Sequence, residues 1–179
     1  MSEQLDDETL AFAERVFNLV RAGDTEQIGP VLEAGLPANM RNSAGDSLLM
    51  LASYHGHLQT TRLLLQNGAD PELANDRGQT PLSGVVFKGN NALVDLLLEH
   101  GAAVDGRPEG GKTPLMFAAM FNRCDLVKRL LDAGADINAL DHQGNRPRDL
   151  AVAMGADDAA VLLEKLGQEY TAGSETKAQ

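Results

Sequence analysis

The stretch that decides the fold runs from residue 78 to residue 104 and reads GQTPLSGVVFKGNNALVDLLLEHGAAV. Thr80-Pro81 is a helix start, because a hydroxyl can accept from an unpaired backbone amide and proline suits the first helical position. Gly89 then interrupts the apolar pattern, and glycine readily takes the positive φ that reverses a chain. A leucine-rich segment follows and ends at Gly101. The stretch therefore predicts two short helices joined by a turn.

This hairpin is one copy of a repeat. Gly45, Gly78, Gly111 and Gly144 are spaced by 33 residues, and a second glycine series keeps the same step at Gly35, Gly68, Gly101, Gly134 and Gly167. Two short helices cannot bury an apolar face by themselves, so neighbouring units must stack into a solenoid. The sequence predicts an all-α fold of stacked helix-turn-helix units with short hairpin loops between them.

The recurring segments GQTPL, GKTPLMFAA, LLLQNGADPELA, LLLEHGAAVDG and LLDAGADINALD resemble the ankyrin repeat over roughly residues 9–168. The resemblance implies one domain over residues 1–170. Within it we expect an N-terminal cap, three full repeats and a C-terminal cap, at residues 5–41, 42–74, 75–107, 108–140 and 141–168. Residues 171–179 lack apolar periodicity, and we expect them to form a disordered tail.

Departures from the family pattern predict softer regions. The histidine that usually follows TPL and braces neighbouring loops is replaced by Met50, Ser83 and Met116, so we expect looser loops. Gly84 lies inside a first helix, at a cost of about 1 kcal/mol relative to alanine. Pro30 lies within the second helix of the N-terminal cap and is expected to shorten or kink it.

Charge and composition exclude several kinds of partner. The chain carries 26 acidic and 15 basic side chains, a formal charge of −11, so its long-range field repels nucleic-acid phosphates and anionic lipids. We therefore expect neither nucleic acid nor a membrane as partner. The N-terminal segment MSEQLDDETL lacks the regions of a signal peptide, which favours the cytoplasm. The single cysteine, Cys124, cannot form an internal disulfide and is expected to be a small buried apolar residue.

One segment matches a nucleotide-binding motif. Residues 106–113, GRPEGGKT, fit the pattern G-x-x-x-x-G-K-[ST], in which loop amides and a helix N-terminus hold phosphate. A phosphate loop also needs a preceding strand, and the segment before this one is another second helix. Gly111 and Thr113 occupy repeat positions that Gly78 and Thr80 fill without the motif. The repeat explains the match, and we expect no nucleotide binding.

No other group of residues indicates catalysis, so we predict that the chain is not an enzyme and needs no cofactor or metal. The histidines are His55, His57, His100 and His142, and no Cys/His grouping accompanies them. We expect His57 to be a structural hydrogen-bonding residue. The family resemblance leaves a second hypothesis open, because some small ankyrin proteins assist an enzyme such as catalase. The chain would then be an accessory protein for cofactor or haem handling.

The same register predicts a binding surface. In the ankyrin family the hairpin tips and the exposed ends of the first helices form a concave face. Two adjacent columns at the turn between the helices give Tyr54, His55, Phe87, Lys88, Met120 and Phe121. Aromatic residues and methionine are enriched at interface centres. Polar residues at the predicted hairpin tips would form a rim, namely Asp76, Arg77, Gln79, Arg107, Glu109, Lys112, His142 and Asn145.

The sequence leaves two interpretations of these columns open, since the side chains could also pack against adjacent helices and be largely buried. The exposed arrangement predicts a non-catalytic module that binds one folded protein through its concave groove. Such a module could serve as a regulator, adaptor, inhibitor or accessory factor. We expect it to be a monomer.

Overall fold

The computed structural model describes residues 7–107 and 111–175, and in these ranges the chain forms helices and no strand. An isolated bridge joins Arg41 to Ser47. The predicted all-α architecture is confirmed. The helices are α1 Asp7–Ala22, α2 Thr25–Glu33, α3 Leu48–Tyr54, α4 Leu58–Gln66, α5 Pro81–Lys88, α6 Asn91–Glu99, α7 Pro114–Met120, α8 Cys124–Asp132, α9 Pro147–Ala153 and α10 Asp157–Glu175.

The helices form two layers. The first helices of successive units, α1, α3, α5, α7 and α9, each pack on the next. The second helices form the other layer, in which α2 contacts α4, α4 contacts α6, and α8 contacts α10. Within each hairpin the two helices also pack on each other, so an internal unit is covered by the units on both sides and a terminal unit by one neighbour. This is the stacked solenoid that the 33-residue period predicts.

Hydroxyl residues start the first helices as the sequence predicts. The side-chain oxygens of Ser47, Thr80 and Thr113 accept from the backbone N–H three residues later, at 3.1, 3.3 and 3.2 Å. All three residues are buried. Since such a cap contributes about 1 kcal/mol, the caps help to define helices of only seven or eight residues.

The core consists of leucine columns that follow the repeat. Leu64, Leu97 and Leu130 occupy one position of the second helices and are fully buried. Leu49, Leu82 and Leu115 do the same in the first helices, and in the C-terminal cap their place is taken by Arg148. Arg148 is half-exposed and forms an ion pair with Glu164. The apolar column therefore ends in a charged pair at the last unit, where a capping unit needs a polar face.

The terminal units differ from two expectations. Helix α2 contains Pro30 yet spans nine residues, the same length as α4, α6 and α8, so the proline does not shorten it. Pro30 lacks the N–H that would bond the carbonyl of Glu26, so the proline removes one helical hydrogen bond without ending the helix. Helix α10 continues to Glu175, so residues 171–175 of the expected disordered tail are helical. Extending an existing helix adds a hydrogen bond for each residue fixed, and the segment holds no proline. Residues 176–179 lie outside the described ranges, and the repeat boundaries stay a prediction.

The turn between the two helices of a unit requires a residue with positive φ. At Gly89 an added Cβ would also force a neighbouring side chain to move. Gly89 has φ +81°, and a Cβ there would lie 2.0 Å from Nη1 of Arg123 in the next unit. That guanidinium donates to the carbonyl of Phe87 at 3.1 Å. Asn122, which replaces glycine in the series, has φ 54°, and its Oδ1 accepts from the N–H of Ala159 at 2.8 Å. The turn residues thus connect neighbouring units.

The hairpin loops are held by a repeated side-chain turn. The Oδ1 atom of the first loop residue accepts from the backbone N–H groups two and four residues later, at 2.9 to 3.1 Å, in the loops that begin at Asn42, Asn75 and Asp141. Adjacent loops are also joined, because Asn75 donates to Asp46 at 2.9 Å and Arg41 pairs with Asp76 at 2.8 Å. These contacts join neighbouring loops without the family histidine, and the looser loops stay a prediction.

Candidate functional site

The two predicted columns lie at the ends of consecutive first helices, on a surface that we call the groove face. Tyr54, Phe87 and Lys88 lie in the last turn of α3 or α5, and His55 follows directly after α3. Met120 ends α7, and Phe121 follows it. Because α3, α5 and α7 pack side by side, the three helix ends are neighbours. The structure therefore brings the six residues onto one surface.

The aromatic members of the groove face are accessible to solvent. Tyr54, Phe87 and Phe121 are 39%, 43% and 40% exposed. The rings of Phe87 and Phe121 meet edge to face, with centroids 5.1 Å apart. The ammonium of Lys88 lies 4.8 Å from the centroid of the Tyr54 ring. Each contact favours one orientation of the side chains involved, and more than a third of each aromatic residue remains accessible to a partner.

Met120 is placed differently from the aromatic residues. It is half-buried and packs against a small cluster formed by Met116, Ala139 and Leu150. Its exposed partner in the same turn is Phe121. The sequence left open whether these side chains are exposed or packed against adjacent helices. Met120 is packed and half-buried, whereas the three aromatic residues are exposed.

A cleft opens between Tyr54 and Phe87, with a volume of about 470 Å³. Gly84 lies between these aromatic residues, and a Cβ added there would meet Cδ2 of Tyr54 at 3.5 Å. The absence of a side chain at residue 84 therefore deepens the cleft. Apolar lining comes from α3, α5 and α7, and polar lining comes from the hairpin loops and from His55 and Ser83. The loop residues that line it are Asp46, Asn75, Arg77 and Gln79.

Two of the predicted rim residues, Arg77 and Gln79, lie at this cleft. Both are exposed, and Oε1 of Gln79 accepts from Nδ2 of Asn75 at 3.1 Å. Arg107 lies in a neighbouring depression with Glu72 and Asp105. It is half-buried, and its Nη1 has no hydrogen-bond partner among the residues that the structure describes. The structure therefore does not bring Arg107 to the cleft. Glu109 lies outside the described residues.

Lys112, another predicted rim residue, already forms an ion pair within the protein. Its ammonium lies 3.4 Å from Oδ2 of Asp141, whose side chain is completely buried. Burial by itself would raise the pKa of Asp141, but hydrogen bonds from Asn145, Gln143 and Lys112 outweigh it and lower the pKa to about 2. Lys112 thus forms a contact between neighbouring units.

His55, a member of the groove face, and His57 are neighbours whose stacked rings have centroids 6.2 Å apart. Nε2 of His57 lies 2.7 Å from the carbonyl oxygen of Arg21, so His57 is the structural hydrogen-bonding residue that the sequence predicts. Partial burial lowers the pKa of His55, and the charges of His57, Arg21 and Lys88 lower it further. No group of three metal-ligating side chains occurs in the part of the chain that the structure describes. Within the same residues, no helix is long and apolar enough to span a bilayer.

Comparison with known proteins agrees with this architecture. The family model described as ankyrin repeats, in three copies, matches residues 19–107, 49–141 and 87–173. The chain therefore belongs to the ankyrin repeat family, whose members are generally non-catalytic protein–protein interaction modules. A Pseudomonas aeruginosa PAO1 protein described as an ankyrin repeat protein is 53% identical over 60 residues. That match spans 34% of this chain and 35% of the relative.

Sequence reasoning missed several lining residues of the cleft. Gly84 was interpreted only as a helix defect, and Asn75 and Asp46 were not connected with the site. A signal for the loop residues was present, because Asn42, Asn75 and Asp141 keep the 33-residue spacing and are all side-chain acceptors. Nothing in the sequence shows that a glycine inside a helix leaves room beside a tyrosine of the preceding unit.

Proposed function

We propose that this chain is a non-catalytic module that binds a folded protein partner through its groove face. The observation that carries the proposal is the row of Tyr54, Phe87 and Phe121, which remain exposed on consecutive helix ends. Isolated apolar side chains on a surface need no explanation, but a contiguous aromatic group usually marks an interaction site. Family membership supports the same class of function.

The local geometry favours a protein as occupant. Aromatic residues carry much of the binding energy at interface centres, especially where a polar rim excludes water from them. Here the loop residues Arg77 and Gln79 lie at the edge of a cleft that has Tyr54 and Phe87 on its walls. The aromatic rings are already oriented by their mutual contacts and by Lys88, so binding orders few additional groups. The chain is proposed to act in the cytoplasm as a monomer.

The experiment is site-specific photo-cross-linking in cells of the source organism. A photoreactive phenylalanine analogue at Phe87 is compared with the same analogue at Val161, an exposed apolar position of α10. We expect one protein to be cross-linked from residue 87 and not from residue 161. Equal cross-linking from both positions, or none from residue 87, would contradict the proposal.

A further inference from the structure

We propose that the partner presents an acidic segment to the groove face and inserts one apolar side chain of that segment between Tyr54 and Phe87. This inference rests on the proposed function and deepens it by naming the chemistry of the occupant. It is carried by the way in which cations and carboxylates are distributed around the cleft, in a chain whose overall charge is −11.

Three cations at or beside the cleft are available to a partner. Arg77 lines the cleft, and Lys88 lies over the ring of Tyr54. The charge of Arg21, in the preceding unit, acts on His55, which also lines the cleft. All three residues are exposed. Within the described residues none of them forms an ion pair with a carboxylate; Arg21 donates to Oδ1 of Asn18 at 3.0 Å.

The nearby carboxylates are already engaged. Asp46 is the acidic residue among the described residues that line the cleft, and its Oδ1 accepts from Asn75 at 2.9 Å. Its Oδ2 accepts from Asn42 at 3.4 Å. Asp76, on the same loop as Arg77, is paired with Arg41. The acids near the cleft therefore stabilise the loops, while the cations remain free to meet carboxylates of a partner.

Lys88 is oriented for this role. Its ammonium is held 4.8 Å from the centroid of the Tyr54 ring, an arrangement that restricts a side chain otherwise rich in rotamers. A carboxylate that approaches this ammonium lies at the mouth of the cleft. The net negative charge of the whole chain slows the approach of an acidic segment, but at contact distance the nearby cations dominate, because charges beyond about 8 Å are largely screened at physiological ionic strength.

The cleft accounts for the apolar part of the segment. Its volume of about 470 Å³ and its walls of Tyr54, Phe87 and Phe117 suit one large aliphatic or aromatic side chain with part of its backbone. Gly84 provides the depth. A purely acidic segment would leave this apolar surface in water, and a purely apolar one would leave the cations without partners.

The test uses three pools of short synthetic peptides with one central Leu, Phe or Met. The flanking positions are Asp and Glu in the first pool, Lys in the second and Ser in the third. Binding to the isotope-labelled chain is followed by amide chemical-shift changes at Gly84 and Phe87 and by fluorescence anisotropy. We expect the acidic pool alone to shift these amides, with weaker binding at high salt.

Charge reversal provides the matched comparison. Arg77→Glu with Lys88→Glu should weaken binding of the acidic pool by about tenfold or more, since each pair changes from attraction to repulsion. Lys128→Glu changes an exposed lysine of α8 and should leave the affinity unchanged. An equal effect of the two changes would contradict the inference.

Other outcomes separate this inference from the proposed function. If the lysine or serine pool shifts the same amides as strongly, the acidic partner is wrong and the groove face is still a binding surface. If the acidic pool shifts neither amide, the inference fails, and cross-linking from residue 87 decides the proposed function by itself. Self-association of the chain that Phe87→Ala abolishes would identify a second copy as the occupant and would also overturn the acidic segment.

Discussion

The ammonium of Lys112 lies 3.4 Å from Oδ2 of Asp141, and this contact joins the loop before α7 to the loop before α9. The same relationship occurs two units earlier, where Nδ2 of Asn75 donates to Oδ1 of Asp46. Asp141 and Asn75 are each the first residue of a loop. Their partners, Lys112 and Asp46, occupy the same repeat position in the preceding loop. Side chains at these register positions therefore stabilise the stack of loops.

Replacement of Lys112 by glutamine should make the chain more sensitive to acid. In the wild type the pKa of Asp141 is lowered to about 2 from an unperturbed 3.8, so its contribution is present above about pH 3.8 and is lost as the pH falls to about 2. Removing the ammonium raises the pKa of Asp141. The acid-unfolding midpoint, followed by circular dichroism, should therefore move to higher pH.

The matched control for this change is Lys128→Gln, which removes an exposed lysine without an ion pair among the described residues. Its acid-unfolding midpoint should equal that of the wild type. A carboxyl carbon titration of Asp141 by NMR checks the cause directly. An unchanged Asp141 titration in the glutamine variant would show that the contact does not act as described.

Two glycines of the same hairpin should respond to alanine in opposite directions. Gly84→Ala should stabilise the chain by about 0.5–1 kcal/mol, because a helical glycine costs that much and its Cβ would make only an ordinary contact with Tyr54. Gly89→Ala should destabilise by more than about 1 kcal/mol, because residue 89 has φ +81° and its Cβ would collide with Arg123. Urea unfolding measures both. Destabilisation by Gly84→Ala would mean that the cleft beside Tyr54 has no room for a methyl group.

Asn122 offers a test of the contact between the turn and the last helix. Asn122→Ala should cost about 2 kcal/mol, because it loses the bond to the N–H of Ala159 and places alanine at positive φ. Asn122→Gly loses only the hydrogen bonds of the side chain, which also include one from Nδ2 to Oδ2 of Asp158 at 3.1 Å, and should cost less than about 1 kcal/mol. Thermal unfolding of the two variants separates the two contributions. Equal losses would indicate that backbone strain plays no part.

The sequence was sufficient for the helices because their determinants are local. Thr80 and Thr113 begin helices, glycines end them, and Leu64, Leu97 and Leu130 give one apolar position in each unit. The 33-residue period then requires stacking. For the same reason the positions of Tyr54, Phe87 and Phe121 on one surface could be derived from register alone.

The sequence does not predict which of these side chains are exposed, paired or buried, because that depends on contacts between units. Lys112 and Phe121 both follow from the register, yet one is paired with Asp141 and the other is exposed. Met120 differs from Phe87 because Met116 and Leu150 lie beside it. The family pattern does not predict the loop contacts, because the groups that form them are Asn42, Asn75 and Asp141 and not the family histidine.

If the exposed aromatic residues of the groove face bind a protein, their removal must lower the affinity for the partner that is cross-linked from residue 87. Phe87→Ala with Phe121→Ala should raise Kd by about 30-fold or more, as expected for interface-centre residues, while the protein remains folded by circular dichroism. Val161→Ala is the control and should leave Kd unchanged. A double variant that is folded and binds within about twofold of the wild type would contradict the account.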